Sequence, residues 1–558
     1  LSNFNRRLPF ELNTNGCTGS VINSPVDTFC SDSNSIRQFN NSDDIIRELS
    51  VKYRDNKNRF TVKVGKFQRG WGQSDGLRLL DIIHAQDLRE RFAFRDSDEL
   101  RIPQFMISAD FNFNKLGIAK PFEAMGMKRP VLEINISPEV RHSEFVINNP
   151  NPSDRSSGGI FGLPFPNVID PVSGAGFVGF GFDIRDNEAD HWGFDDAEYS
   201  ARLKFDSLGG QFTLNAFYGM QDLPTVTLEG GTFIVGNGFN NIDASVAQVP
   251  LTATDVETVV HGAPGFLGPV GVGGALPTGG YLSYLRGIAG VGPLVESPLT
   301  TLSGGGCADA LQPGFGAGLA CSINGIVNLD YKHRQKVIGF SFARDMNQFK
   351  FGPKQTSAAM RIETAFEFGK YYNRSVLNPG STGNLNTPLG VATLPLNGIT
   401  EFGSPALAVT ADKAITKGNV LSTMIGFDYP LWVPGWDTQE KSIFTSFQFF
   451  NIHSFAADKG LLQQAPYAFD TVSEDQQFVT FLWSAPVHQQ RLVFEGLFIE
   501  DFGNNGTFYR QRVDFNYFGP RWRPRLEWMH FGGNGGENAP IGILDKSDFV
   551  ELSITFQF

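Results

Sequence analysis

The chain has 558 residues, a formal net charge of −12 and a pI near 5.2, and its aromatic content is dominated by 52 phenylalanines against 12 tyrosines and 7 tryptophans. This acidic balance argues against nucleic acid or anionic lipid as the main partner, because a phosphate-binding surface needs clustered Lys and Arg. No run of about 18 apolar residues occurs, which excludes a helical membrane span. It leaves a barrel open, whose lipid-facing residues are every second one.

In chain order, Leu8, Phe10 and Leu12 alternate weakly and predict a first strand within residues 1–12, followed by a loop over 13–44. Period-two alternation then predicts strands at 45–53, 59–67, 103–114, 130–138, 197–206, 211–220 and 327–345. Others follow at 357–371, 417–429, 441–455, 475–485, 489–500, 507–518 and 521–531. The chain closes on strict alternation: Val550, Leu552, Ile554, Phe556 and Phe558 share one strand face, with Glu551, Ser553, Thr555 and Gln557 on the other. In the strand from Pro103, Phe105, Ile107, Ala109, Phe111 and Phe113 would face lipid, and Gln104, Ser108, Asp110 and Asn112 the interior.

The connections alternate in length. Those at Arg54–Asn58, Ser207–Gly210, Pro486–His488 and Gly519–Pro520 are short, and those at 68–102, 140–195, 221–325 and 373–416 are long. With a periplasmic C-terminus, all the long segments fall outside and all the short turns inside, as in outer-membrane barrels. The strand at 45–53 then starts outside, so the even strand number of bacterial barrels requires the weak strand in residues 1–12. The expectation is an all-β transmembrane antiparallel β-barrel of about sixteen strands, with fourteen and eighteen as alternatives, in the bacterial outer membrane. Its neighbours would be outer-membrane lipid and lipopolysaccharide. The chain starts at Leu1 and carries no signal peptide, which is read as processing.

The four cysteines lack CxxC spacing, so a zinc or redox site is not indicated. Cys17 with Cys30, and Cys307 with Cys321, sit in Gly/Asn/Ser-rich sequence and suggest two loop-closing disulfides in an oxidising compartment.

Alternation also places charges in the lumen. Arg521, Arg523, Arg525 and Glu527 share one polar face, and Arg510, Arg512, Asp514 and Asn516 another. Arg361, Glu363 and Glu367, Arg491 and Glu495, and Arg202, Lys204 and Asp206 continue the series. Such charges can set selectivity or pair across strands and fill the interior, and the pairing reading is favoured.

The stretch Trp71–Glu90, with the charged run to Arg101, mixes polar and apolar residues between two strands and can bend inward to constrict a pore. Trp71-Gly72, Asp75-Gly76, Asp81 and Asp87-Leu88-Arg89 form a motif that resembles one found early in a group of large Gram-negative outer-membrane barrels. The resemblance covers thirty to fifty residues. It implies movement of lipids or other hydrophobic compounds, sometimes alongside an envelope exporter as partner. Pore candidates are Trp71, Asp75, Arg78, Asp81, Asp87 and Arg89, with the interior arginines above. A homo-oligomer is also compatible with the sequence.

Residues 259–296 are apolar and Gly/Pro-rich, suited to a plug, a mouth cover, a protein contact, a hydrophobic route, or packing on other loops. Asp183, Asp186, Glu188, Asp190, Asp195 and Asp196 could hold a calcium ion, but without EF-hand spacing a solvated acidic loop is favoured. No other cofactor is expected.

Gly72-Gln73-Ser74-Asp75-Gly76 matches a hydrolase elbow only as a string, because the strand-to-helix turn that gives it a mechanism belongs to a parallel α/β sheet. His453 beside Ser454, and His530, are the candidates for a rival reading as an outer-membrane hydrolase. A structural or adhesive barrel with a sealed lumen is the other rival. The favoured expectation is a passive channel or transporter for small or hydrophobic solutes and no catalysis.

Overall fold

The computed structural model describes residues 47–88, 100–144, 147–148, 163–164, 178–187, 192–236, 245–252, 320–351, 356–374, 382–387, 390–395, 415–433, 442–457, 461–462, 472–503, 505–517, 519, 521–533, 541 and 548–556. The first predicted strand, Cys17, Cys30, Cys307, Arg89, Glu188, Asp190 and the apolar stretch 259–296 lie outside them.

Fifteen strands pair antiparallel in chain order. They are β1 (Leu49–Arg54), β2 (Phe60–Phe67), β3 (Gln104–Asn112), β4 (Lys128–Ser137), β5 (Glu198–Ser207), β6 (Gly210–Met220), β7 (Arg334–Phe351) and β8 (Thr356–Arg374). The series continues through β9 (Ile415–Leu431), β10 (Ile443–Ser454), β11 (Asp475–Val487), β12 (Leu492–Asp501), β13 (Gly506–Phe515), β14 (Trp522–Gly533) and β15 (Phe549–Phe556). Each corresponds to a strand expected from alternation. No helix among the described residues is long and apolar enough to cross a membrane.

One expected strand is corrected. The run 327–345 divides: Ala320–Asp330 joins a separate four-stranded sheet with Val178–Asn187, Thr225–Gly236 and Ser245–Thr252, and β7 begins at Arg334. The break is fixed locally, since the Asp330 carboxylate accepts from Lys332 N at 3.0 Å and the carbonyl of His333 accepts from Gln221 N at 2.8 Å. Period-two alternation runs through such a break because it carries no record of which sheet a strand joins.

Short turns follow from local chemistry. Asp55 accepts from Lys57 N, Arg59 N and Arg59 Nε, closing the β1–β2 turn. The hydrogen bond from the Arg59 side chain, with its charge, holds the Asp55 carboxyl at about 2, below the usual carboxylate range. At β5–β6, Leu208 and Gly209 both adopt positive φ, as a two-residue hairpin turn requires. Phe113, expected to face lipid, is instead buried in a helical turn, Phe113–Leu116, capped by Asn112. Arg491, expected in the lumen, lies in the β11–β12 turn just before Leu492.

The sheet has an apolar outer face. Val51 is 76 % exposed, Ile338 51 %, Phe447 46 % and Leu552 70 %, while alternate positions on the same strands point inward. On β10 the buried Ser446, Gln448 and Phe450 alternate with the exposed Phe447 and Phe449. The sheet also curls. Arg69 bonds Asp110 of β3, and Gly76, seven residues on, packs on Leu497 and Ile499 of β12. Nine strand spacings would set those strands roughly 43 Å apart if flat, against about 25 Å for seven extended residues, and in between Trp71, Gln73 and Asp75 meet β4, β8 and β10 in turn. The wall therefore bends round the segment as a barrel, and β1 and β15 each pair on one side only among the described residues.

Candidate functional site: a segment anchored inside the barrel

Residues 69–88 run through the interior, held by both polar and apolar contacts. The polar contacts reach β3, β4, β8 and β10. Arg69 donates to Ser108 Oγ at 2.9 Å and Asp110 Oδ1 at 2.7 Å. The Trp71 indole N–H donates to Glu133 Oε1 at 2.8 Å, Arg202 binds Glu133 Oε2 at 2.7 Å, and the same guanidinium lies 5.3 Å from the indole ring. Glu363 of β8 accepts from two backbone amides of the segment, Gln73 N at 3.0 Å and Leu80 N at 2.8 Å. Asp75 is gripped by Arg361 Nη2 at 2.6 Å and by Gln448, which donates to its carboxylate at 2.7 Å and accepts from its amide at 2.9 Å.

Within the segment, Asp81 is the organising charge. It accepts from Trp71 N at 3.1 Å and binds Arg101 at 2.7 Å, with Arg78 at 3.8 Å. Burial alone would raise its carboxyl, but Arg78 and Arg101 overcome that and hold it below the usual range. Arg78 also donates to the carbonyls of Asp81 and His84. His84 accepts from Arg69 N through Nε2 at 2.8 Å; a backbone N–H can only donate, so that ring nitrogen is unprotonated. Burial pushes the His84 pKa down to about 3, consistent with a neutral ring.

The apolar contacts run from β6 to β14 and, through Trp71 and Ile83, to β2 and β3. Leu79 and Leu88 join a buried cluster with Met424, Phe450, Phe478, Ile499, Phe508 and Met529. Leu80 enters the wall opposite Gly339, where an added Cβ would stand 2.0 Å from Leu80 Cδ2. This apolar lining was not expected of a barrel interior. It occupies the part of β12–β14 toward Asp501, Gly506 and Gly533, whereas the charges sit toward Leu492, Phe515 and Trp522. There Arg510 and Arg512 bind Glu495 at 3.0 and 2.8 Å, Arg512 reaches Asp514 at 3.1 Å, and Arg525 binds Asp514 at 2.7 Å.

Of the sequence candidates, the structure brings Trp71, Asp75, Arg78, Asp81, Arg361 and Glu363 into one network. Arg510, Arg512 and Arg525 form a second network on the wall, and Arg521 and Arg523 are exposed at the short-turn end. Asp87 is tied by its backbone to Leu100. Cys321 lies in the strand Ala320–Asp330. Asp183 and Asp186 lie in the strand Val178–Asn187 rather than in a loop, and Asp195 and Asp196 accept from Arg334. Sequence reasoning missed Glu133, which alternation with Asn135 and Ser137 could have placed inside. It also missed Arg101, His84 and Gln448, for which only the path of the segment supplies a reason.

Beside the segment lies a cavity of about 400 Å³. Its apolar wall includes Leu77, Ile82, Val337, Val420, Ile452 and Phe478, and its charged lining is Arg78, Asp222, Glu367 and Lys370. Lys370 faces it because of a bulge: the β8–β9 register shifts between Glu367 and Lys370, and Gly369 takes φ +59°. Glu367 and Lys370 thereby share the inner face and pair at 3.1 Å.

The rival catalytic pairing fails on geometry. His453 binds Asp475 at 2.9 Å on the outer face of the strand, while Ser454 is buried on the inner face, so the two side chains diverge. Ser74 sits in the irregular interior segment, at no strand-to-helix turn.

No protein-family model and no curated protein matches the sequence. A solved structure, the high-pH form of OprB from Pseudomonas putida, is similar at a TM-score of 0.26 and 7% identity, covering 91% of this chain and 92% of that chain. At that TM-score the likeness carries no argument.

Proposed function

We propose that this chain is a passive outer-membrane channel or transporter for small or hydrophobic solutes, its lumen narrowed by the segment 69–88. The observation that carries the reading is the pairing of an apolar outer face with an interior that holds both an anchored segment and a mixed polar and apolar cavity. A wall that is apolar outside and charged inside suits lipid on one side and water on the other. A cavity of this size, apolar with a few placed charges, suits a small solute better than bulk ions. The contacts of Glu363 and Asp75 would keep the segment in the path and make the open state narrow.

Planar-bilayer recording tests this. The parent chain should conduct in small steps, and the double variant Glu363→Ala, Asp75→Ala should conduct more, because two backbone amides lose Glu363 and Arg361, which keeps Asp428, loses Asp75. Silence from both proteins would favour the sealed structural barrel instead.

A further inference from the structure

The charges lining the cavity are not equally engaged. Arg78 is committed to two carbonyls and to Asp81, and Lys370 to Glu367. Among the described residues, Asp222 is the one charged lining group whose carboxylate has neither a hydrogen bond nor an ion pair. Its backbone is fixed, with the Asp222 carbonyl accepting from Ser143 N at 2.9 Å. The adjoining Gln221 is tied to Tyr371, donating to its carbonyl at 3.1 Å and accepting from its amide at 3.0 Å. The carboxylate is thus presented to the cavity by a rigid neighbourhood rather than by a free loop.

We propose that this cavity is a subsite for a small amphipathic ammonium ion, its cationic head on the Asp222 carboxylate and its apolar body against Leu77, Val337, Val420, Ile452 and Phe478. The assignment rests on the channel reading for its role as a stop on a solute path. A partly buried carboxylate that Arg78 and Lys370 reach only beyond contact distance is costly, and a cation that brings its own apolar chain offsets that cost while filling the greasy wall. An anion would meet the charge of Asp222, while Arg78 and Lys370 already face Asp81 and Glu367. In support, burial pushes the Asp222 carboxyl up to about 6 although the charges of Arg78 and Lys370 act against that rise.

The test uses the full chain in nonionic detergent and in planar bilayers at pH 8, with butyltrimethylammonium as probe and butanesulfonate as its anionic counterpart. Calorimetry should show the cation binding, no binding of the sulfonate, at least a tenfold loss of affinity in Asp222→Asn, and retention in Asp222→Glu. Ser422→Phe, which fills the lining beside Val420 without touching the carboxylate, should weaken binding too and serves if Asp222→Asn does not fold. Equal affinity in parent and Asp222→Asn, unchanged affinity in Ser422→Phe, no binding to the parent, or preference for the sulfonate would each overturn the subsite. Asp222-dependent binding by a chain that passes no current would overturn the channel reading and leave the subsite standing. Current without binding would do the reverse.

Discussion

The anchoring of the segment 69–88 has a polar side and an apolar side, which solve the same problem with opposite chemistry. Directional bonds tie Arg69, Trp71, Gln73, Asp75 and Leu80 N to Asp110, Glu133, Glu363 and Gln448, while Leu79 and Leu88 are held by apolar burial against Met424, Phe450 and Met529, and Leu80 against Val337 and Ala365. Directional bonds fix a register, because each backbone amide that reaches Glu363 has one position where it can do so. Apolar contact supplies adhesion with little demand on register. The polar side should therefore decide where the segment sits, and the apolar side how firmly.

That division can be broken. The largest effect is expected of Asp81→Ala, which leaves Arg78, Arg101 and Trp71 N without their shared acceptor; losing one partner of a buried charge network costs about 3–5 kcal/mol. A lower denaturant midpoint with a rise in conductance should be seen, and an unchanged conductance would mean that Asp81 does not position the segment. Met529→Ala follows, at about 2–5 kcal/mol for a truncated buried methionine. It should lower the midpoint but leave the conductance step close to that of the parent, and a large conductance rise would erase the proposed difference between the sides. Trp71→Phe keeps an aromatic ring but removes the indole donor to Glu133 and part of the buried ring, for about 1–3 kcal/mol. Its signature is a modest loss of midpoint with increased proteolysis within 69–88.

The smallest effect is in pH dependence, where two groups oppose each other. His84 has a folded pKa of about 3 against an ordinary 6.5, so the unfolded chain binds its proton first, and this contribution to stability is lost as pH falls below 6.5 toward 3. Asp222 has a folded pKa of about 6 against an ordinary 3.8, so the folded chain binds its proton first, and stability rises as pH falls from 6 toward 4. Denaturant midpoints measured from pH 7 to 4 should fall more steeply in Asp222→Asn than in the parent. They should fall less steeply in His84→Gln, and parallel curves for all three proteins would exclude both assignments.

Much of the wall was legible in the sequence because the strand period is local. Val550 to Phe556 reads the same in the sequence as in β15, and alternation separated the buried Gln104 and Ser108 from their outward neighbours. The same locality explains the failures. Nothing within a few residues of Asp330 says that its strand belongs to another sheet. Nothing near Phe113 says that a helical turn will bury it, although Asn112 is a capping residue in retrospect.

What the sequence by itself determined is the period-two wall, the alternation of short and long connections, and the polar motif at Trp71–Asp87. Only the tertiary structure decided what lies inside. Strict alternation from Glu363 would put Lys370 and Tyr372 on the outer face; the bulge at Gly369 adds a residue on one side of the ladder and turns both inward. Whether Asp222 meets the cavity depends on contacts with Ser143 and Tyr371, far from it in the chain. A strand's faces follow from its own residues, whereas a lumen is made by strands that only closure of the wall brings together.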